Sequence, residues 1–245
     1  MFAFGVKRGW ASSNPVAQVD RPRSERRPQR RIQFLTAIEL DELIRAVPDD
    51  ELGAVERPLY LTAAMSGLRQ GELLALRWSD IDWVAARIRV ADSVTRGLLG
   101  SPKSRRSVRS VPMADRLARE LERYFQRSAF QGDDDLVFGD PQLGSVLDPS
   151  TVRKRFTRGL KRAGVRRIRF HDLRHTFGTQ MAAAGAPLRA IQEWMGHANY
   201  STTSVYAPDA TNAALFAERA FGSGQATSER DDAKGRDSAS NASRG

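Results

Sequence analysis

Apolar residues recur along this chain with two spacings, and the spacing predicts the elements. From Thr36 the period is helical, with Leu40, Leu43, Ile44 and Val47 on the core side. Thr36 and Glu39 form a capping box at its start, and Pro48 ends it. Residues 55–66 are mostly apolar and predict a second helix, with Gly67 suited to the position beyond its end. A short third helix, about 70–77, follows, with Arg69 at the junction. The period then changes to two. Arg87-Ile88-Arg89-Val90 and residues 107–111 alternate polar and apolar, as half-buried strands do. Between them lies the turn-rich stretch GLLGSPKSRRS, so a small antiparallel sheet is expected, its last hairpin carrying Lys103 near the tip. The helical period returns over 115–128, with Leu117, Leu121 and Phe125 inward. An acidic, glycine-bearing connection over 132–145 surrounds a short Leu136-Val137-Phe138 element. Pro149 opens a helix anchored by Phe156 and Leu160 and ending at Gly164. A helix with His171 ends near Gly185, and Pro187 opens another through Trp194. A short helix carries Tyr206, and 209–221 predict a last helix with Leu215, Phe216 and Phe221. The fold class is mainly α with a small antiparallel β-sheet (α+β).

Charge sharpens this outline. The chain carries a net +10, which favours a polyanion as partner, nucleic acid first. Arg21, Arg23, Arg26, Arg27, Arg30 and Arg31 face only Glu25, and Pro22 and Pro28 block a helix, so an extended basic linker is expected. The helix from Pro149 bears Arg153, Lys154, Arg155, Arg158, Lys161 and Arg162, with Arg166, Arg167 and Arg169 beyond it. That density of cations is the strongest signal for contact with a nucleic-acid backbone. The bland counterpart is a soluble basic protein with solvated charges. There is no cysteine, so neither a disulfide nor a thiolate metal site arises. No run of about 18 apolar residues crosses a membrane, and the first ten residues lack a long apolar stretch for secretion. A cytoplasmic protein fits these features.

The chemistry gathers between Phe170 and Tyr206. This stretch holds all three histidines, His171, His175 and His197, together with Arg174 and two of the four tyrosines. His171 and Arg174 are three apart, so a helix turns both to one face. An imidazole beside a guanidinium suits an anion, because both donate to phosphate oxygens and the guanidinium does so as a rigid fork. A tyrosine after His197, Tyr200 or Tyr206, adds a nucleophile. Tyr60 and Tyr124 read as packing. His175 follows Arg174, is read as turned about 100° away, and is assigned a structural role. Standing alone, Arg69 is an ordinary helix-surface arginine and Lys103 a solvated loop lysine. His171 and His175, four apart, with His197 as a third ligand, would also suit zinc. Arg174 beside the pair opposes a dication, and no Glu follows His171 as a zinc-protease motif requires.

In their order these blocks resemble the tyrosine recombinase (phage integrase) family. Its C-terminal motif is H-x-x-R, then Leu-Gly-His or similar, then a tyrosine. Here those are His171–Arg174, Met195-Gly196-His197 and Tyr206. The resemblance reaches back to Arg69 in SGLRQGELLALRW and Lys103 in PKSRRSVRSVP, and covers roughly residues 34–208. It implies that family's catalytic-domain fold over residues 32–221. Residues 1–31 would be the remnant of an N-terminal DNA-clamping domain plus the basic linker, and 222–245 a low-complexity, disordered tail. It implies site-specific DNA recombination, integration or excision, through a 3′-phosphotyrosyl intermediate. In that scheme Tyr206 attacks phosphorus and Arg69 and Arg174 clamp its oxygens. Lys103 is the general acid, His171 moves the tyrosine's proton, His197 hydrogen-bonds the phosphate, and Glu72 orients the arginine and histidine groups. DNA contacts are expected from Arg105, Arg106, Arg153, Lys154, Arg155 and Arg158. Neither a cofactor nor a metal is expected. The partners implied are double-stranded DNA, a homo-tetramer on that DNA exchanging strands through a Holliday junction, and an accessory DNA-bending or excision factor. Type IB topoisomerases share the chemistry, but the block order and Leu76-Arg77-Trp78 after Glu72 fit integrases. The other reading is a DNA-binding fragment of such a recombinase with impaired catalysis.

Overall fold

A computed structural model describes residues 2–19, 32–95, 97–100, 108–197 and 200–206. The chain divides into two compact units, Met1–Ile32 and Gln33–Gly245. The first holds helix α1 (Phe2–Lys7) and a 3-10 turn, Pro15–Gln18, capped by the Asn14 side chain on Val16 N at 3.2 Å. The predicted basic linker lies outside the described residues, as do Lys103, Arg105 and Arg106, the helix over 209–221 and the tail.

In the second unit the capping box forms as read, with Thr36 and Glu39 satisfying each other's backbone N–H groups at the start of α2 (Ala37–Arg45). Helix α3 (Glu51–Ser66) begins one turn earlier than its apolar run, because Asp50 caps Gly53 N at 2.6 Å. It ends at Gly67, whose φ of +66° is the left-handed conformation that closes a helix. Helix α4 (Gln70–Leu73) is shorter than predicted, since a 3-10 turn, Trp78–Asp80, follows it.

Strands β1 (Ile81–Asp82), β2 (Arg87–Val90), β3 (Ser93–Thr95), β4 (Leu98–Gly100) and β5 (Arg109–Pro112) form two antiparallel sheets, ordered β1-β2-β5 and β3-β4. Ile88 pairs with Val111, both fully buried, so the alternation read from the sequence sets the register. The stretch read as loop is corrected in part. Gly97, at φ +78°, turns the chain so that Leu98–Gly100 pair with Ser93–Thr95. Leu98 and Leu99 are exposed and do not alternate, which hid that strand.

Helix α5 (Asp115–Phe125) packs against α3. Helices α6 (Pro149–Arg162), α7 (Asp172–Ala183) and α8 (Leu188–Met195) follow, and 3-10 turns Tyr200–Thr202 and Ser204–Tyr206 close the described chain. Tyr60, Phe156 and Phe170 meet edge to face at 5.3–6.2 Å and bind α3, α6 and the approach to α7 into one core. Helix α7 lies along α3, and Thr176 on it accepts from Leu35 N at 2.9 Å. This central position fixes the helix that carries the site.

Candidate active site

Helix α7 brings most of the chemistry to one surface. His171 is its N-terminal cap residue and is exposed, whereas Arg174, one turn in, is buried. His175, half-buried, lies on the same side as His171, the two rings 5.7 Å apart. The reading of His175 as turned about 100° away is therefore corrected. The turn of about 100° is measured from Arg174, whereas four residues from His171 amount to about 400°, which leaves the two histidines only about 40° apart.

Tyr206 comes to this surface from the last 3-10 turn. Its ring is buried over Gly178, where a Cβ would meet Cζ at 2.6 Å. The phenolic oxygen lies 2.6 Å from His175 Nδ1. Burial, against the pull of Arg174, raises the phenol to about 12, so it is protonated at neutral pH and shares its hydrogen bond with that nitrogen. Burial also holds His175 below the ordinary histidine range, which keeps its ring neutral and able to accept.

The end of α8 organises the cations. Three successive carbonyls there, left without partners in their own helix, each accept from a different arginine. Trp194 O takes Arg109 Nε at 2.6 Å, Met195 O takes Arg174 Nη2, and Gly196 O takes Arg69 Nη2 at 3.0 Å. Arg174 also donates Nη1 to the carbonyl of Gly67, the residue that ends α3. Burial and the charge of Arg69 lower Arg174 to about 9, still above neutrality, so three positive charges gather at this helix end. Glu72 balances them. It accepts from Arg69 N and Nη1 at 2.7 and 2.9 Å and from Arg109 Nη1 and Nη2 at 3.0 and 2.7 Å. Burial pulls its carboxyl up, but the hydrogen bonds and charge of Arg109, with Arg69, outweigh that and hold it below the usual carboxylate range. His197 follows this helix end and shares a 2.9 Å hydrogen bond with the buried Thr203. Burial and the charges of Arg174 and Arg69 push it down to about 4.

Arg69, Glu72, His171, Arg174, His197 and Tyr206 thus converge from α4, α7, α8 and the last turn. Arg109 belongs with them and escaped the sequence reading. It sits on a strand in alternation with apolar residues, where an arginine reads as solvated. The predicted DNA contacts divide. Lys154 and Arg158 are exposed and have no ion pair among the described residues, and Arg153, also exposed, reaches Gln70 at 2.9 Å. Arg155 instead is held by the buried Glu56, and its Nη2 reaches both Asp50 oxygens at 2.8 and 3.0 Å. Arg166 and Arg169 are likewise paired internally, with Glu39 and Asp172. Charge density along the sequence does not separate solvated cations from folded ones.

A family model described as the phage integrase family matches residues 33–213. A XerC-like tyrosine recombinase of Caldanaerobacter subterraneus subsp. tengcongensis is 29% identical over 231 residues, covering 83% of this chain and 58% of that protein. Tyrosine recombinase XerC of Proteus mirabilis is 31% identical, covering 82% of this chain and 62% of its own length. The chain therefore spans about three fifths of the length of these relatives. Among solved structures, the XerA recombinase superposes with a TM-score of 0.63 at 28% identity, over 80% of this chain and 66% of that one. The Tn1549 transposon integrase bound to transposon right-end DNA shares the fold, with a TM-score of 0.66 at 21% identity over 82% of this chain and 69% of that one.

Proposed function

Since this chain belongs to the phage integrase family, we propose that it cuts and rejoins DNA strands at specific sites through a covalent bond to Tyr206. The observation that carries this reading is the meeting of the Tyr206 phenol, the His175 imidazole hydrogen-bonded to it and the guanidinium groups of Arg69 and Arg174 at one place. Phosphodiester cleavage needs a nucleophile, neutralisation of the negative charge that builds on the non-bridging oxygens, and a proton for the leaving oxygen. Tyr206 Oη attacks phosphorus as its proton passes to His175 Nδ1, with His171 beside that ring to carry it onward. The 5′ oxygen leaves with a proton, for which the family resemblance nominates Lys103. A 3′-phosphotyrosyl ester remains. The step is close to balanced because one phosphate ester replaces another, so a 5′-hydroxyl from a second strand reverses it without an external energy source. Arg69 and Arg174 hold the non-bridging oxygens, and loss of one such donor typically costs about 10²–10³ in rate.

Relatives named as recombinases, and a fold shared with an integrase that holds transposon-end DNA, support duplex DNA as the substrate. The same reading extends to integration or excision by a homo-tetramer on that DNA, helped by an accessory DNA-bending factor. The test uses DNA that flanks the protein's own coding sequence, incubated with the purified chain and resolved for adducts that survive detergent. Tyr206→Phe is expected to abolish the adduct while DNA affinity stays within about twofold, since one hydroxyl that hydrogen-bonds only within the protein contributes little to binding. An adduct formed by the Phe variant, or mapped to another tyrosine, refutes the assignment.

A further inference from the structure

Arg109 has no part in the chemistry proposed above, yet it is the most enclosed contact that Glu72 makes. Its side chain is 11% exposed. All three guanidinium nitrogens are spent inside the protein, two as a fork on Glu72 and Nε on Trp194 O. The group also lies flat on Gly196, where a Cβ would meet its Cζ at 3.2 Å. Unlike Arg174, whose Nε has no partner among the described residues, it keeps no guanidinium nitrogen to hold a substrate.

Its effect falls on Arg69. A carboxylate receives one guanidinium fork along the edge that joins its two oxygens. Arg109 occupies that edge of Glu72. Arg69 is left with a single side-chain bond, Nη1 to Oε1 at 2.9 Å, and a second to Gly196 O, and its side chain stays 45% exposed. Without Arg109, a buried carboxylate would face one remaining cation. An under-paired buried charge draws in whatever partner it can reach. Arg69 would close its own fork on Glu72 and turn from the site.

We propose that Arg109 is a positioning residue: by filling the forked edge of Glu72 it keeps Arg69 exposed and free to grip a phosphate. This rests on the reading above, in which phosphate is what Arg69 holds. The test titrates the purified full chain with inorganic phosphate and follows the Arg69 Nε–Hε resonance by NMR. In the wild type that resonance shifts on titration. Arg109→Lys keeps the buried positive charge but cannot fork, and is expected to weaken phosphate affinity about tenfold, the size of one lost charged hydrogen bond, although Arg109 never touches the ion. Adding Glu72→Gln to Arg109→Lys removes the competing carboxylate and is expected to restore most of that affinity. A role in stability alone predicts the opposite, with the double variant as weak as the single or weaker. That outcome overturns the proposal, as does unchanged affinity in Arg109→Lys or a wild-type Arg69 resonance indifferent to phosphate. DNA capture separates the two readings. If the phosphate pattern holds but no adduct ever forms, strand cleavage is refuted and Arg109 keeps its role. If Arg109→Lys captures DNA at the wild-type rate, cleavage stands and this role is refuted.

Discussion

At the scale of single residues, burial pushes the titrating groups of the site toward their neutral forms. The phenol keeps its proton up to about pH 12 because its ring is buried on Gly178. His197 stays neutral because burial and two guanidinium groups oppose a further positive charge. The second effect has a consequence for stability. In the unfolded chain His197 takes up a proton near pH 6.5, whereas in the folded chain it does so only near 4. Between those values the unfolded state binds more protons, so stability falls as pH drops through that window and is unaffected above it. The thermal unfolding midpoint is therefore expected to be level from pH 7 to 8 and to decline below about 6.5. His197→Gln, which cannot titrate, should decline less steeply over the same range. Parallel curves for the two proteins would show that His197 is not the source.

At the scale of elements, the ends of helices do more for the site than their faces. Gly67 closes α3 in the left-handed conformation, presents its carbonyl to Arg174, and lies so near α7 that a Cβ would stand 2.6 Å from the Phe177 ring. Gly67→Ala meets both backbone strain and overpacking, each destabilising by about 1–3 kcal/mol. A loss of at least about 2 kcal/mol in urea-induced unfolding is expected, with an unchanged dependence on urea. A loss under half that size would mean that α3 and α7 part easily, and that this junction does not fix Arg174. What the sequence disclosed follows the same division. Caps and periods, such as Thr36 with Glu39 or the alternation that buries Ile88 and Val90, are local rules, and they appear in the structure where they were read. Arg69, Arg174 and Tyr206 were legible because their spacing resembles a known family. Arg109 was not, because its partners Glu72 and Trp194 lie 37 and 85 residues away and no spacing rule spans that distance. His175, four residues from His171, follows the helical period onto the same side, a placement that the spacing alone carries.

At the scale of the whole molecule, the question is which of the many cations face a partner. Net charge of +10 favours a polyanion but does not say where it lies. Helix α6 offers a controlled comparison, because Arg155 and Arg158 are three residues apart with different surroundings. Arg155 balances Glu56, which is 3% exposed, and bonds both Asp50 oxygens through Nη2. Arg158 is exposed, without an ion pair among the described residues. Arg155→Ala strands a buried carboxylate and is expected to cost about 3 kcal/mol in unfolding free energy. The salt dependence of DNA affinity should stay as it was, since this guanidinium neutralises no phosphate. Arg158→Ala should leave stability within about 0.5 kcal/mol. If it meets the DNA backbone, it should weaken binding to all sequences alike and reduce the slope of log affinity against log salt by about 1. Urea unfolding and salt-titrated DNA binding on the same two variants separate the cases. A reduced salt slope for Arg155→Ala at unchanged stability would mean that its ion pairs open on DNA, and that the paired and the exposed arginines of this helix form a single contact surface.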